Sequence, residues 1–135
     1  MTLTRIDLLR MQYRDLVAAD AELRVPAGWM AAFERWLDDL DQARRAVGSG
    51  KPILVLECVP GNGGLDRRVS LPWCPPKGLH ERVEAADRRL DETCARTCRE
   101  CGSPGAPRFV GGVMLVACEA HAQGFPAIKR RGNGK

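Results

Sequence analysis

The stretch Cys98-Arg-Glu-Cys101-Gly-Ser-Pro-Gly105, followed by Cys118-Glu-Ala-His121, contains two pairs of metal-ligand residues at two-residue spacing. A C-x-x-C turn aims two sulfur atoms at one point, and a C-x-x-H pair supplies the two remaining ligands of a tetrahedral site. The interval between the pairs has the length of a short hairpin. The sequence therefore predicts one structural Zn²⁺ per chain, bound by Cys98, Cys101, Cys118 and His121.

Other uses of the cysteines remain open. Buried thiols or a disulfide are the plain alternatives, and a thioredoxin-like redox pair fits less well because Cys101 leads into a Gly/Pro turn instead of a helix. Cys94 lies four residues before Cys98, so on a continuing helix it would share that face and become an alternative metal ligand. Cys58 and Cys74 lie in or beside apolar runs, where buried free thiols are common.

Residues 107–116, between the two ligand pairs, predict two short strands around Gly111-Gly112. Paired glycines favour a two-residue hairpin turn because both of its central positions need a positive φ. Such a hairpin returns the chain to the first ligand pair. The two ligand pairs and the hairpin together predict a zinc ribbon.

Upstream, the apolar spacing is helical. Thr4 and Asp7 fit a capping box, and the residues after them predict a first helix that runs to about Leu23. A second amphipathic helix follows, and we interpret its aromatic stripe as packing in the core between the two helices. The apolar face of this second helix consists of Trp29, Phe33, Trp36, Leu37, Leu40 and Val47.

Two further elements lead to the ribbon. Residues 51–59 and 65–71 predict a β-hairpin, and the spacing from Leu79 predicts a third helix that ends near Cys98. The predicted fold class is α+β: an N-terminal helix pair, a β-hairpin, a third helix and a C-terminal zinc-ribbon hairpin. The expected divisions are residues 1–78 (helix pair and hairpin), 79–128 (helix and ribbon packed on them as one compact unit) and 129–135 (a basic flexible tail).

The sequence offers no catalytic constellation. His80-Glu81 ahead of a cysteine pair suggests a zinc deaminase, but that chemistry needs one residue between His and Glu and a proline at the position of Thr97. Four protein ligands also leave no coordination position for a catalytic water. We therefore expect no enzyme and no catalytic residues, with His80 a surface residue.

The positive charge is concentrated at the C-terminal end. The net charge of the chain is +4, and residues 106–135 contain five basic residues against one acidic residue. Phosphate neutralisation by such residues supplies most non-specific nucleic-acid affinity. The candidate anion or nucleic-acid contacts are Arg108, Lys129, Arg130 and Arg131.

No basic segment leads into an apolar stretch at the start of the sequence, and no apolar run approaches the roughly 18 residues of a membrane span. Six cysteines without a signal peptide fit a metal site in a reducing compartment. We therefore expect a cytoplasmic protein that does not contact membranes.

Residues 86–121 resemble the small zinc-ribbon proteins that are widespread in bacterial prophages and their phages, most of which have no assigned function. The likeness lies in the two ligand pairs around a hairpin and extends loosely to Gly28-Trp29 and Gly63-Gly64-Leu65. The chain lacks the family's basic-aromatic segment beside the glycine pair and the tryptophan of its hairpin. The resemblance implies the metal ligands and an origin on a mobile element.

Two classes of function remain. The favoured one is a non-enzymatic module that docks on a host or phage protein or nucleoprotein complex, and an inhibitor of a host defence system, such as an anti-CRISPR protein, is its most specific form. The alternative is a nucleic-acid-binding or transcription-related zinc ribbon that uses its basic C-terminal region. Acid-rich helices and few aromatic residues near the basic cluster favour the protein partner.

Overall fold

The computed structural model describes residues 3–46, 53–61, 63–72, 75–122 and 124–128. In this part of the chain there are three α-helices and two small β-sheets, so the predicted α+β class is confirmed. The helices are α1 (Arg5–Gln12), α2 (Met30–Ala46) and α3 (Leu79–Ala95); the strands are β1 (Val17–Leu23), β2 (Leu54–Pro60), β3 (Leu65–Ser70), β4 (Ala106–Val110) and β5 (Val113–Ala117).

Helix α1 begins as predicted and ends early. The Asp7 N–H donates to Thr4 Oγ1 at 3.0 Å, and the Thr4 N–H donates to the Asp7 carboxylate at 3.0 Å, which completes the capping box. The helix nevertheless ends at Gln12, and the chain turns at Tyr13. The prediction that this helix extends to about Leu23 is therefore wrong.

The segment predicted as the second half of that helix is strand β1. Its Ala, Glu and Leu residues favour a helix locally. In the fold, however, this segment pairs with β2 in parallel. Val17 lies opposite Val55 and Leu23 lies opposite Cys58, with a bulge between the two pairs. This distant pairing overrides the local preference, and α2 becomes the crossover between two parallel strands.

The helices that pack along each other are α2 and α3, instead of the predicted pair of first and second helices. Trp36 Nε1 of α2 donates to Asp87 Oδ1 of α3 at 2.9 Å, and Arg89 pairs with Asp39 on the same interface. Helix α1 is only eight residues long, so it offers little surface for a helix pair. The N-terminal helix pair of the sequence analysis is corrected accordingly.

The core and the central hairpin agree with prediction. Trp29, Phe33 and Trp36 are each at most 1 % exposed, which confirms that the aromatic stripe packs in the core. Strands β2 and β3 pair antiparallel and complete a three-stranded sheet in the order β1-β2-β3. The predicted position of Val47 at the end of the second helix lies outside the described residues.

Gly28 and Trp29 connect this core to the cysteine-rich end of the chain. The Gly28 N–H donates to the Arg99 carbonyl at 2.8 Å, and Trp29 Nε1 donates to the Thr97 carbonyl at 2.8 Å. A Cβ at position 28 would lie 2.0 Å from the carbonyl oxygen of Cys98. Only glycine fits this close approach of two backbones.

Candidate metal centre

The first ligand pair lies on a tight turn directly after α3. The Cys98 N–H donates to the Ser103 carbonyl at 2.7 Å, and the Gly102 N–H donates to the Cys98 carbonyl at 2.9 Å. Gly102 has a φ of 82°, the left-handed conformation expected after the second cysteine of such a turn. This turn folds Cys101 back beside Cys98.

The second ligand pair follows the β4–β5 hairpin. The hairpin closes at Gly111 and Gly112, whose φ values of 61° and 84° confirm the predicted glycine turn. After β5, a short 3₁₀ turn places His121 over Cys118, and the His121 N–H donates to the Cys118 carbonyl at 3.1 Å. The hairpin thus returns the second pair to the first.

The four predicted ligand residues meet, and their ligand atoms all lie within 4.8 Å of one another. Cys101 Sγ and Cys118 Sγ are 3.7 Å apart, while His121 Nδ1 lies 3.6 Å from Cys98 Sγ and 3.2 Å from Cys118 Sγ. A tetrahedron with zinc–ligand bonds of about 2.3 Å to sulfur and about 2.0 Å to nitrogen has sulfur–sulfur edges of about 3.8 Å and sulfur–nitrogen edges of about 3.5 Å. The cluster therefore has the size needed to hold a metal ion.

The surroundings of the cluster favour thiolates on the first pair. Burial raises the pKa of Cys98, but backbone N–H groups, that of Cys118 foremost, donate to its sulfur and lower the pKa to about 6. Hydrogen bonds from Ser103 lower the pKa of Cys101, and the hydrogen bond to Cys98 raises the pKa of His121. Burial raises the pKa of Cys118. Thiolates are the form that binds metals.

Cys94 lies outside the cluster. Helix α3 ends at Ala95 and the chain turns, so Cys94 and Cys98 do not continue on one helical face. Cys94 is completely buried in the core, and burial raises its pKa to about 12. Cys58 is buried in β2, again with a pKa raised by burial to about 12, and Cys74 lies outside the described residues.

Arg108, one of the predicted anion or nucleic-acid contacts, is buried and hydrogen-bonded within the fold. Its side chain is buried, with Nε donating to the Ala117 carbonyl at 3.0 Å and Nη1 to the Phe125 carbonyl at 2.7 Å. Nη2 forms an ion pair with Glu119 at 3.2 Å. The hydrogen bond to Phe125 connects residues 124–128 to the β4–β5 hairpin. The other predicted contacts, Lys129, Arg130 and Arg131, lie outside the described residues.

His80 is exposed near the start of α3, as predicted. Its Nε2 lies 3.2 Å from a carboxylate oxygen of Glu84, one helical turn along. This arrangement is an ordinary i,i+4 surface pair.

Arg99 is the residue beside the cluster that the sequence analysis missed. Its guanidinium carbon lies 5.8 Å from the centroid of the Trp29 ring. The Arg99 N–H donates to the Val116 carbonyl at 3.0 Å, which ties the first ligand turn to β5. Gly28-Trp29 contacts a cysteine turn about seventy residues later in the chain. No local sequence pattern predicts such a distant contact, so the sequence shows only the Gly-Trp pair itself.

No protein family, curated protein or solved structure matches this chain. Within the described ranges, no helix is both long enough and apolar enough to cross a membrane. Function is therefore inferred from the geometry of the cysteine and histidine cluster and of the surface around it.

Proposed function

We propose that the chain is a non-enzymatic zinc-binding interaction protein that docks on a protein or nucleoprotein complex. The closeness of the four ligand atoms, all within 4.8 Å of one another, carries the metal-binding part of this proposal. Three sulfurs and one imidazole nitrogen form a ligand set that zinc prefers. The proposed ligands of one structural Zn²⁺ are Cys98, Cys101, Cys118 and His121.

The proposed role of the metal is structural. Four protein ligands fill a tetrahedral zinc site and leave no position for an activated water. The ion would join two turns whose outer ligands, Cys101 and His121, lie at the surface. It would thereby complete a zinc ribbon from the β4–β5 hairpin and the two turns. Thiolate ligands must stay reduced, which fits a cytoplasmic protein.

Two arginines that could otherwise contact phosphates are engaged within the fold, which supports a protein partner over nucleic acid. Arg67 pairs with Asp91 at 2.8 Å and with Asp87 at 3.4 Å, so its charge is balanced within the fold. Arg108, the basic residue of the ribbon hairpin, is buried and bonded. Arginines bound in this way are not free to neutralise phosphates.

The proposed anchors for a protein partner are exposed apolar side chains of the β4–β5 hairpin and of the segment after it, with Phe109 and Val113 on opposite faces of the hairpin. Phe109 is 52 % exposed, Val113 49 % and Phe125 40 %. Exposed aromatic residues often serve as anchors at protein interfaces. Because of the resemblance to prophage zinc ribbons, we also propose that the chain originates from a phage or another mobile element. Its most specific proposed partner is a host defence complex.

Affinity purification with variants tests the proposed partner. We expect the full chain to recover a defined protein from a nuclease-treated bacterial lysate. The change Phe109→Ser should reduce the amount of that protein about tenfold or more, because it removes an anchor. The matched control is Leu8→Ser, at a similarly exposed apolar residue on α1. Replacing Lys129, Arg130 and Arg131 with alanine should change the recovery of the partner protein little.

The alternative nucleic-acid function gives the opposite pattern. The chain would then recover no defined protein and would bind DNA or RNA with a steep salt dependence. Loss of that binding in the triple alanine variant would assign the function to the basic tail and contradict the proposed protein partner.

A further inference from the structure

An open cleft of about 360 Å³ lies beside the candidate metal ligands. One of the four ligand residues lines it, together with side chains from the first ligand turn and from β5. The cleft therefore adjoins both halves of the ribbon. Its lining residues are Arg99, Glu100, Leu115, Ala117, Ala120 and His121.

Arg99 lines this cleft, and one N–H donor of its guanidinium has no partner in the described structure. Its Nε is buried and has no hydrogen-bond partner among the described residues. The guanidinium lies over the completely buried ring of Trp29, which supports it from one side. Because Nε is buried, an anion that enters the cleft would meet the terminal N–H groups of the guanidinium.

His121 brings a second donor. Its Nδ1 faces the sulfurs of Cys98 and Cys118, so Nε2 is the ring nitrogen directed away from them. A histidine that binds a metal through one nitrogen usually donates the other N–H to a carboxylate, a carbonyl or water. No hydrogen bond between described residues involves Nε2 of His121.

We infer that the cleft binds a carboxylate from the protein partner, an Asp or Glu side chain held between the Arg99 guanidinium and His121 Nε2. This inference rests on the proposed function, because it needs both a metal-bound His121 and a protein partner. A guanidinium binds a carboxylate through two parallel hydrogen bonds. The proposed protein partner supplies the carboxylate, and the directed donors of Arg99 and His121 must outweigh the repulsion of any anion by Glu100 in the wall.

The test uses the zinc-loaded full chain and two small probes. N-acetylglutamate N-methylamide carries the carboxylate, and N-acetylglutamine N-methylamide is its neutral control at the same ionic strength. In ¹H–¹⁵N NMR spectra, we expect the glutamate probe to shift the Arg99 Nε–H and His121 Nε2–H signals and the glutamine probe to leave them unchanged.

Variants of the cleft sharpen this test. Arg99→Lys keeps the positive charge but loses the fork, so we expect the glutamate probe to bind about tenfold more weakly or worse. Glu100→Gln should strengthen binding, because a competing carboxylate is removed. Arg88→Lys, at an exposed arginine of α3, is the matched control and should leave binding unchanged.

Each outcome separates the cleft from the metal site. Zinc content, measured on every sample, reports on the proposed function alone. In a chain that holds zinc, an unmoved Arg99 signal contradicts the carboxylate site, as does tighter binding of inorganic phosphate at the same signals. Should Arg99→Lys lose its zinc, the wild-type titration and Glu100→Gln still decide the question.

Discussion

The change Gly28→Ala is expected to lower the free energy of unfolding by about 3 kcal/mol or more. The added Cβ would lie 2.0 Å from the carbonyl oxygen of Cys98 and 2.7 Å from the backbone nitrogen of Gly102. Both are backbone atoms of the first ligand turn, so no side-chain rotation relieves the clash. The hydrogen bond from the Gly28 N–H to the Arg99 carbonyl would be lost with the same displacement.

Urea denaturation of the zinc-loaded chain measures this effect, and Gly64→Ala is the matched control. A Cβ at Gly64 meets no atom within 4 Å, so this second variant should be about as stable as the unchanged chain. Equal stability of the two variants would show that the Gly28 backbone does not approach the ligand turn as described.

Removal of the metal is expected to unfold the cysteine-rich end while the core persists. Structural zinc contributes about 10–16 kcal/mol of apparent binding free energy in small domains, so its loss should cost several kcal/mol of stability here. The β4–β5 hairpin and the two ligand turns bury few apolar side chains that could replace the metal, chiefly Val116 and Ala117. We expect Phe33 and Trp36 of α2, which are buried away from the ligand turns, to stay packed without the metal.

Hydrogen exchange with and without a chelator measures this change. We expect fast exchange across residues 98–122 in the chelated chain and retained protection in α2 and α3. The variant Cys98→Ser, Cys101→Ser should behave like the chelated chain. Cys58→Ala, at a buried thiol outside the cluster, should not. Unchanged protection of the ribbon after chelation would contradict a structural metal.

Local patterns predicted those parts of the fold that depend on neighbouring residues. The Thr4–Asp7 capping box, the Gly111-Gly112 turn and the apolar stripe of α3 each form within one turn or one helix, so the sequence shows them directly. The ligand cluster was also predictable, because two-residue spacing fixes each half of it.

Features that depend on distant contacts were not predictable in this way. Strand β1 consists largely of helix-forming residues and becomes a strand only through its pairing with β2. Arg108 was predicted as an anion contact, but in β4 its guanidinium is buried, donates to the Phe125 carbonyl and pairs with Glu119. The contact of Gly28 with the ligand turn joins parts of the chain that no periodicity connects.

Elemental analysis combined with X-ray absorption at the zinc edge tests the central claim most directly. For the purified full chain we expect about one zinc per chain with three sulfur ligands and one nitrogen ligand. Cys94→Ala should leave this signal unchanged, and Cys98→Ser, Cys101→Ser should abolish it. Zinc retained in full by the double variant, or lost from Cys94→Ala, would contradict the assignment of Cys98, Cys101, Cys118 and His121 as the metal ligands.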